Sequence, residues 1–133
     1  MKIKKIWKEH RIWIVPVMVM ISTFILLKCV FLIGYVPTES MEPTLKSGSY
    51  IIGCRMYSNL ETGDIIIFRH DGKLLVKRIA AEEGDTVERN GISMTVPKGC
   101  YYVLGDNAEN SYDSRCWEDP FVKEEDVVAK MIL

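Results

Sequence analysis

Apolar residues are distributed in two different ways along this chain of 133 residues. Residues 12–36 form one long apolar run in which Lys28 is the only charged residue. Residues 37–133 contain shorter runs rich in Val, Ile, Tyr and Thr, separated by Gly, Asp and Asn. The first pattern is typical of a membrane-spanning helix, and the second is typical of short β-strands joined by turns.

The run at 12–36 predicts a transmembrane anchor. Its twenty-five residues extend roughly 37 Å as a helix, enough to cross a ~30 Å hydrocarbon core with some tilt. A central Lys costs ~3 kcal/mol on an insertion scale, whereas the fifteen Leu, Ile, Val and Phe residues return roughly 7 kcal/mol. Two alternatives stay open, a cleaved signal peptide and a buried core helix. The run is long for the first and too apolar all round for the second.

Charge is distributed unevenly around this run. Residues 1–11 carry five Lys/Arg and one acid, whereas residues 37–133 carry 11 Lys/Arg and 17 Asp/Glu. Basic flanks stay in the cytoplasm, so we expect a cytoplasmic tail (1–11), a single anchor (12–36) in the cell membrane and an extracytoplasmic domain (37–133). The acidic balance of that domain argues against binding to nucleic acid, because phosphate contacts need clustered Lys and Arg.

The pattern after residue 36 predicts a mostly β fold, a small antiparallel barrel or folded sheet preceded by the transmembrane helix. Asp71-Gly72 and Asn90-Gly91 are tight-hairpin dipeptides, because Asp, Asn and Gly accept positive φ. The predicted strand regions are 49–56, 64–70, 73–81, 86–96, 101–105 and 127–133.

Lys77 lies inside one of the apolar strand regions. Strand alternation places it on one face with Leu75 and Ile79, and places Arg78 on the other face. One interpretation is that both basic residues lie on a solvated edge strand. In the other, Lys77 is desolvated; burial lowers a lysine pKa by up to 3–5 units from ~10.4, and the neutral amine then serves as a general base.

Ser40, in the segment TESMEPT (38–44), is the candidate nucleophile for such a base. A serine hydroxyl is weakly nucleophilic until a neighbouring group takes its proton. The two histidines do not suit this role: His10 precedes the anchor, and His70 adjoins the Asp71-Gly72 turn, where we expect exposure to solvent. A Ser-Lys pair is therefore favoured over a Ser-His-Asp triad.

Four segments, in this order, resemble the conserved boxes of bacterial type I signal peptidases, also called leader peptidases. The resemblance covers residues 12–117 and implies a membrane-anchored serine endopeptidase. Its implied partners are the lipid bilayer and exported preproteins, cut after small residues on the outer face of the membrane. It implies neither a metal nor an organic cofactor. The four segments are PTESMEPTL (37–45), GDIIIF (63–68), VKRIAAEEGDTV (76–87) and GDNAENSYDSR (105–115).

The resemblance also implies roles for individual residues. Ser40 matches the nucleophile and Lys77 the general base. Thr38 matches the hydroxyl that forms an oxyanion hole with the Ser40 N–H, and Ser111 matches the serine that hydrogen-bonds the lysine amine and aims it. Three further residues match positions that hold the framework of the site by ion pairing: Asp106, Asp113 and Arg115.

The chain departs from the family pattern in two places. Only twenty-seven residues separate Lys77 from Gly105, so the large insert of some members is absent. Glu39 stands before the nucleophile, where glycine is common. Eukaryotic-type relatives carry histidine at the position of Lys77, which places this chain with the Ser-Lys type.

Several alternatives to this function stay open. The segment 106–114 is rich in oxygen ligands, but it lacks the alternating order of a calcium loop and has Ala108 where an oxygen is needed. The cysteines lack the spacing of a zinc site. A self-cleaving Ser-Lys peptidase similar to the SOS repressors is the rival enzyme. A membrane-tethered β domain that only binds a partner is the rival without catalysis.

Overall fold

A computed structural model describes the backbone of residues 2–133 and the side chains of residues 12–133. Helix α1 extends over Lys2–Val30, and its part Ile12–Val30 is long and apolar enough to cross a membrane. Those 19 residues span about 28 Å, close to the thickness of a hydrocarbon core. Lys28 lies in the last turn of α1, where its amine can reach an interface. The predicted cytoplasmic tail is residues 1–11, and its basic side chains lie outside the described residues.

The apolar run predicted as one span over 12–36 divides after Val30. Phe31–Tyr35 is strand β1, paired antiparallel with strand β2, Tyr50–Cys54. A continuous apolar run carries no period that separates helix from strand. The aromatic and branched residues of 31–35 suit a strand that pairs with a neighbour. The helix therefore ends at residue 30 and not at residue 36.

The part of the chain after Val30 forms an antiparallel seven-stranded sheet and a separate two-stranded hairpin. Its remaining strands are β3 (Ile65–His70), β4 (Lys73–Ala81), β5 (Thr86–Arg89), β6 (Ile92–Thr95), β7 (Cys100–Leu104), β8 (Phe121–Lys123) and β9 (Val127–Met131). The order across the sheet is β1-β2-β9-β3-β4-β7-β8, and β5 pairs with β6. The prediction of a mostly β, antiparallel fold after one apolar helix is confirmed. Strand β8 was not predicted, because its three residues are too few to show alternation.

Two tight turns close the hairpins as predicted. Asp71 and Gly72 have φ of 49° and 75° between β3 and β4, and Asn90 and Gly91 have φ of 53° and 77° between β5 and β6. Positive φ at both central residues gives the turn a twist that matches the twist of the strands. The first of these turns fixes the register of β4, the strand that carries Lys77.

Alternate residues of β3 belong to two hydrophobic clusters. Ile66 and Phe68 pack with Trp117 in one cluster, and Ile65 and Ile67 pack in the other. Successive residues of a strand point to opposite faces, so the two clusters lie on the two faces of the sheet. The second cluster also includes side chains from the loop that joins β1 to β2: Val36, Met41 and Leu45. This loop is therefore anchored in the core.

Candidate active site

Ser40 lies in the loop between β1 and β2. Two backbone hydrogen bonds close the base of this loop: Val36 N–H donates to Ser49 O (2.9 Å), and Gly48 N–H donates to Val36 O (2.8 Å). The next residue, Met41, is 1% exposed and packs in the core. These contacts hold Ser40 in a buried position with 7% exposure, unlike an ordinary turn serine.

Strand β4 places Lys77 beside this serine. A hydrogen bond of 2.6 Å joins Lys77 Nζ and Ser40 Oγ. Lys77 is 4% exposed, and Ile79 is buried on the same face of the strand, as alternation predicted. The edge-strand interpretation of Lys77 is wrong, because β4 lies between β3 and β7.

Burial lowers the pKa of the Lys77 amine, because the charged form loses its hydration. Asp113 acts against this and raises the pKa, Arg115 lowers it further, and Asp106 raises it. Desolvation therefore favours a neutral amine, which can accept a proton. An amine of this kind within hydrogen-bond distance of a serine hydroxyl has the geometry of a general base and its nucleophile.

Thr38 is the second hydroxyl near the nucleophile. Its Oγ1 lies 3.3 Å from Ser40 Oγ, and either hydroxyl can be the donor. Thr38 is exposed, so a bound peptide can reach it. A donor this close to the Ser40 oxygen has a position suitable for stabilising negative charge that forms next to that oxygen.

Ser111 contacts a carboxylate. Its hydroxyl donates to Asp113 Oδ2 at 2.6 Å. The hydrogen bond from Ser111 to the lysine amine, expected from the resemblance, is not found among the described side chains, where the bond of Lys77 Nζ is to Ser40. Ser111 is thus linked to Lys77 through the electrostatic effect of Asp113 on the amine.

Asp113 is the most connected acid of the site and is 0% exposed. It accepts hydrogen bonds from the Gly105 N–H (2.9 Å), from Ser111, and from Arg115 Nε (2.9 Å) and Nη2 (2.7 Å). Burial alone would raise the pKa of Asp113, but the bonds from Arg115, Gly105 and Ser111 outweigh it and lower the pKa to about 2. The carboxylate therefore stays ionised at neutral pH.

Asp106 forms a second ion pair, with Arg78. Arg78 Nε and Nη2 donate to the two carboxylate oxygens at 2.8 and 2.6 Å, and Nη1 donates to Gly63 O at 2.7 Å. The hydrogen bond from Arg78 lowers the pKa of Asp106, although burial acts in the opposite direction. This bidentate pair joins β4 to the segment that follows β7.

Gly105 and Asn107 lie in that same segment and contact the loop between β1 and β2. This loop carries the candidate nucleophile Ser40 and is called the nucleophile loop below. The Asn107 N–H donates to Ser40 O (3.0 Å), and its side-chain amide donates to Glu39 O (3.1 Å). A Cβ at Gly105 would overlap the Ser111 hydroxyl and lie 2.5 Å from Ser40 O. Glycine is therefore required here for space. The Glu39 side chain is exposed.

The other candidate groups are separate from this site. Within residues 12–133, no three His, Cys, Asp or Glu side chains are grouped so that they could hold a metal ion. The thiols of Cys29, Cys54, Cys100 and Cys116 are free. His70 is partly buried, not fully exposed as expected, and stacks on Trp117 at 3.9 Å.

Comparison with known proteins identifies the family. A family described as "Signal peptidase, peptidase S26" matches residues 7–96 and 90–133. The chain belongs to the signal peptidase family. The match spans both the apolar helix and the sheet, and it includes Ser40, Lys77 and the segment 105–115.

Relatives in this family come from bacteria and from organelles. The chain is 31% identical over 119 residues to "Probable signal peptidase I-1" of Synechocystis sp., covering 62% of this chain and 61% of that protein. It is 28% identical over 145 residues to "Signal peptidase I" of Bacillus amyloliquefaciens, covering 82% of this chain and 76% of that protein. It is 33% identical over 90 residues to human "Mitochondrial inner membrane protease subunit 1", covering 59% of this chain and 54% of that protein. The chain thus spans about three fifths of the cyanobacterial relative's length.

Sequence reasoning about this signal peptidase family member missed two contacts at the site. Asn107 lies in the box Gly-Asp-Asn, but a side-chain amide in a polar segment gives no sign of its partner. Arg78 was expected only to face away from Lys77, and its pairing with Asp106 requires the register between β4 and β7, which places Arg78 opposite Leu104. That register depends on tertiary structure, which a local pattern does not contain.

Proposed function

We propose that this chain is a membrane-anchored serine endopeptidase that removes signal peptides from exported preproteins with a Ser-Lys dyad. The observation that carries this proposal is the buried 2.6 Å hydrogen bond between Lys77 Nζ and Ser40 Oγ. Family membership and the signal peptidase names of relatives supply the substrate class. The apolar helix Ile12–Val30 supplies the anchor.

The reaction proceeds in two acyl-transfer steps. Ser40 Oγ attacks the peptide carbonyl carbon while its proton passes to the neutral Lys77 amine. The negative charge on the carbonyl oxygen is stabilised by the Ser40 N–H and the Thr38 hydroxyl. Lys77 then gives its proton to the leaving amine nitrogen, the C–N bond breaks, and an ester to Ser40 remains. Lys77 next accepts a proton from the water that attacks the ester. It returns this proton to Ser40 Oγ as the acyl C–O bond breaks, which releases the new carboxylic acid, ionised at neutral pH, and restores the Ser40 hydroxyl and the neutral amine.

Around the dyad, the remaining polar residues have supporting roles. Asp113 and Arg115 hold the segment after β7 through a partly buried ion pair, and Ser111 completes the hydrogen bonds of that carboxylate. Asp106 with Arg78 fixes the same segment to β4. We assign these residues to the framework of the site, since they have no direct contact with Ser40 Oγ among the described hydrogen bonds.

The proposed orientation has the N-terminus in the cytoplasm and residues 37–133 outside. The basic residues of 1–11 before the apolar helix support it. Protease added to intact spheroplasts should digest the domain after the helix and leave the N-terminal tail protected. A domain that stays fully protected until the membrane is broken would contradict this orientation.

Cleavage of a preprotein in vitro tests the activity directly. The detergent-solubilised full chain is mixed with a purified preprotein, and the new N-terminus is sequenced. We expect one cut after a small residue at the end of the signal peptide. Ser40→Ala should abolish the cut, whereas Ser58→Ala, at an exposed position, should leave it unchanged.

The same experiment separates the two rival functions. A self-cleaving peptidase would cut its own chain and leave the preprotein intact. A binding domain would retain the preprotein equally well in the wild type and in Ser40→Ala, and neither protein would cut it. The contacts of Asn107 and Gly105 with the nucleophile loop favour the signal peptidase function, because they come from the box that the SOS repressors lack.

A further inference from the structure

The β5–β6 hairpin lies in the link between Lys77 and Gly105 and is separate from the main sheet. One of its side chains reaches the active-site segment. Arg89, the last residue of β5, donates from Nε to Arg115 O at 3.0 Å. Arg89 is partly buried, so this bond is shielded from bulk water.

Arg115 is consequently held both at its guanidinium and at its main chain. Its backbone N–H and Nε donate to Asp113 Oδ1 at 3.2 and 2.9 Å, and Nη2 donates to Oδ2 at 2.7 Å. Its carbonyl oxygen accepts the bond from Arg89. Loss of the Arg89 bond would remove the contact that holds the Arg115 carbonyl oxygen, and we expect the guanidinium that neutralises Asp113 then to move more freely.

Tyr102, on β7, is a buried residue on which both arginines have an electrostatic effect. The Tyr102 hydroxyl is buried and has no hydrogen-bond partner among the described residues. Burial raises the pKa of Tyr102, and Arg89 and Arg115 both act to lower it. This shared effect agrees with the direct contact between Arg89 Nε and Arg115 O.

We propose that Arg89 is a positioning residue for the Ser-Lys site: it fixes the main chain at Arg115 so that the Arg115 guanidinium stays on Asp113. This inference rests on the proposed function. The β5–β6 hairpin thereby becomes a support of the active site in a chain that lacks the large insert of other family members.

The charges around Lys77 make this role measurable. Three groups act on its amine: Asp113 and Asp106 raise its pKa, and Arg115 lowers it. If Arg115 moves away, the amine loses a repulsive cation and faces a less neutralised Asp113. The pKa of Lys77 should then rise, so the amine should stay protonated to higher pH. The acid limb of the activity profile should move in the same direction.

Three variants of the full chain in detergent test the proposal: Arg89→Ala, Arg89→Lys and, as control, Glu88→Ala at the exposed neighbouring position of β5. Rates on a purified preprotein are measured over a pH series. We expect Arg89→Ala to lower kcat about tenfold with KM within about twofold, and to move the acid limb to higher pH. Arg89→Lys can still donate to the Arg115 carbonyl oxygen, so its kcat and acid limb should be close to those of wild type. Glu88→Ala should have the same kcat and acid limb as wild type.

A second readout does not depend on activity. Lysine labelled with 13C at Cε is titrated by NMR, and Lys77→Arg assigns the signal. An upward shift of the Lys77 titration in Arg89→Ala supports the proposal. If Arg89→Ala only lowers the melting temperature, with the Lys77 titration and the acid limb unchanged, Arg89 is a structural residue of the hairpin and the proposal is overturned.

The two proposals fail in different ways. If wild type cuts no preprotein, the proposed function fails, but the Lys77 titration still decides the role of Arg89. If Arg89→Ala does not fold, Arg89→Met replaces it, because methionine keeps much of the side-chain length but has no donor for the Arg115 carbonyl oxygen. A Lys77 titration in folded Arg89→Met that equals wild type would overturn the positioning role, whereas an upward shift would support it.

Discussion

Two regions of the molecule with different chemistry lie side by side. Each contains one residue from a consecutive pair on β4 and one residue from a consecutive pair after β7. Lys77 and Gly105 lie beside Ser40 and its loop, where a lysine amine is desolvated and space is limited. Arg78 and Asp106, one position further along each segment, form an ion pair with bidentate geometry. The first region favours a neutral base. The second keeps a permanent charge, because a guanidinium remains protonated.

This difference shows that strand alternation can place a proposed catalytic residue and a supporting residue at adjacent positions of one strand. Two basic residues that are adjacent in sequence face different surroundings, and the pKa of Lys77 is lowered by burial while that of Arg78 is raised by its hydrogen bond to Asp106. The contrast predicts that the two positions respond oppositely to exchange of lysine and arginine.

The largest effect is expected at Lys77. Lys77→Arg keeps a positive charge but provides a group that stays protonated, so the rate of preprotein cleavage should fall by about 10²–10⁴, the usual contribution of a general base. Lys77→Met, which removes the amine, should have the same effect. Initial rates with folding checked by circular dichroism measure this, and Lys73→Arg at the exposed start of β4 is the control. A folded Lys77→Arg enzyme with more than about a tenth of the wild-type rate, roughly 1.4 kcal/mol in barrier, would exclude the Ser-Lys mechanism.

Gly105→Ala tests the limited space beside the nucleophile. The added Cβ would meet Ser111 and Ser40 O, so the loop must shift, and a displacement of about 1 Å costs roughly 10² in rate. Gly72→Ala is the matched control: its Cβ meets nothing within 4 Å, but φ is +75°. That variant should lose about 1 kcal/mol of stability and keep its kcat. Equal kcat in both variants would show that Gly105 is not needed for space.

The buried Asp113 predicts a loss of stability in acid. Its folded pKa of about 2 lies below the ordinary 3.8, so its contribution is present above the unfolded pKa and is lost as pH falls from about 5 towards 2. The free energy of unfolding, from urea titrations followed by circular dichroism, should decrease by about 2 kcal/mol over that range. Asp113→Asn should flatten this dependence and lower stability at neutral pH. Glu109→Gln, exposed in the same segment, should leave the pH dependence of the unfolding free energy unchanged. A flattened pH dependence in Glu109→Gln would show that the effect does not come from Asp113 alone.

The smallest effect is expected at Arg78. Arg78→Lys keeps the charge but loses the forked contact with Asp106, so stability should fall by about 1 kcal/mol. Cleavage should fall less than about fivefold, because Lys77 and Ser40 keep their contact. Arg69→Lys, exposed on β3, is the control. A loss in Arg78→Lys as large as in Lys77→Arg would abolish the distinction between the two regions.

The fold was predictable from the sequence where the local pattern and the tertiary structure agree. Asp71-Gly72 and Asn90-Gly91 have few alternatives to a tight turn, and alternation along 73–81 already placed Lys77 on one face with Leu75 and Ile79. The end of α1 was not predictable in the same way. Residues 31–35 are as apolar as the helix before them, and their pairing with β2 depends on a strand that follows fifteen residues later.

The active site was predictable to a smaller extent. Ser40 and Lys77 could be named as candidates because Lys77 lies in an apolar strand region and both residues match boxes of the signal peptidase family. The bond of Ser111 to Asp113, the two bonds of Asn107 and the contact of Arg89 with Arg115 are side-chain geometries. Each joins segments whose relative position is set by the completed sheet, so no short pattern contains it.

The two hydrogen bonds from Asn107 have a consequence for conformational entropy. Fixing the backbone of one residue costs roughly 1–2 kcal/mol at 25 °C. Asn107 holds the carbonyl oxygens of Glu39 and Ser40 already in the free protein, at 3.1 and 3.0 Å. The cost of ordering the nucleophile is therefore met during folding. A peptide that enters the site loses its own freedom but need not order the serine, and a larger part of its binding energy remains for the transition state.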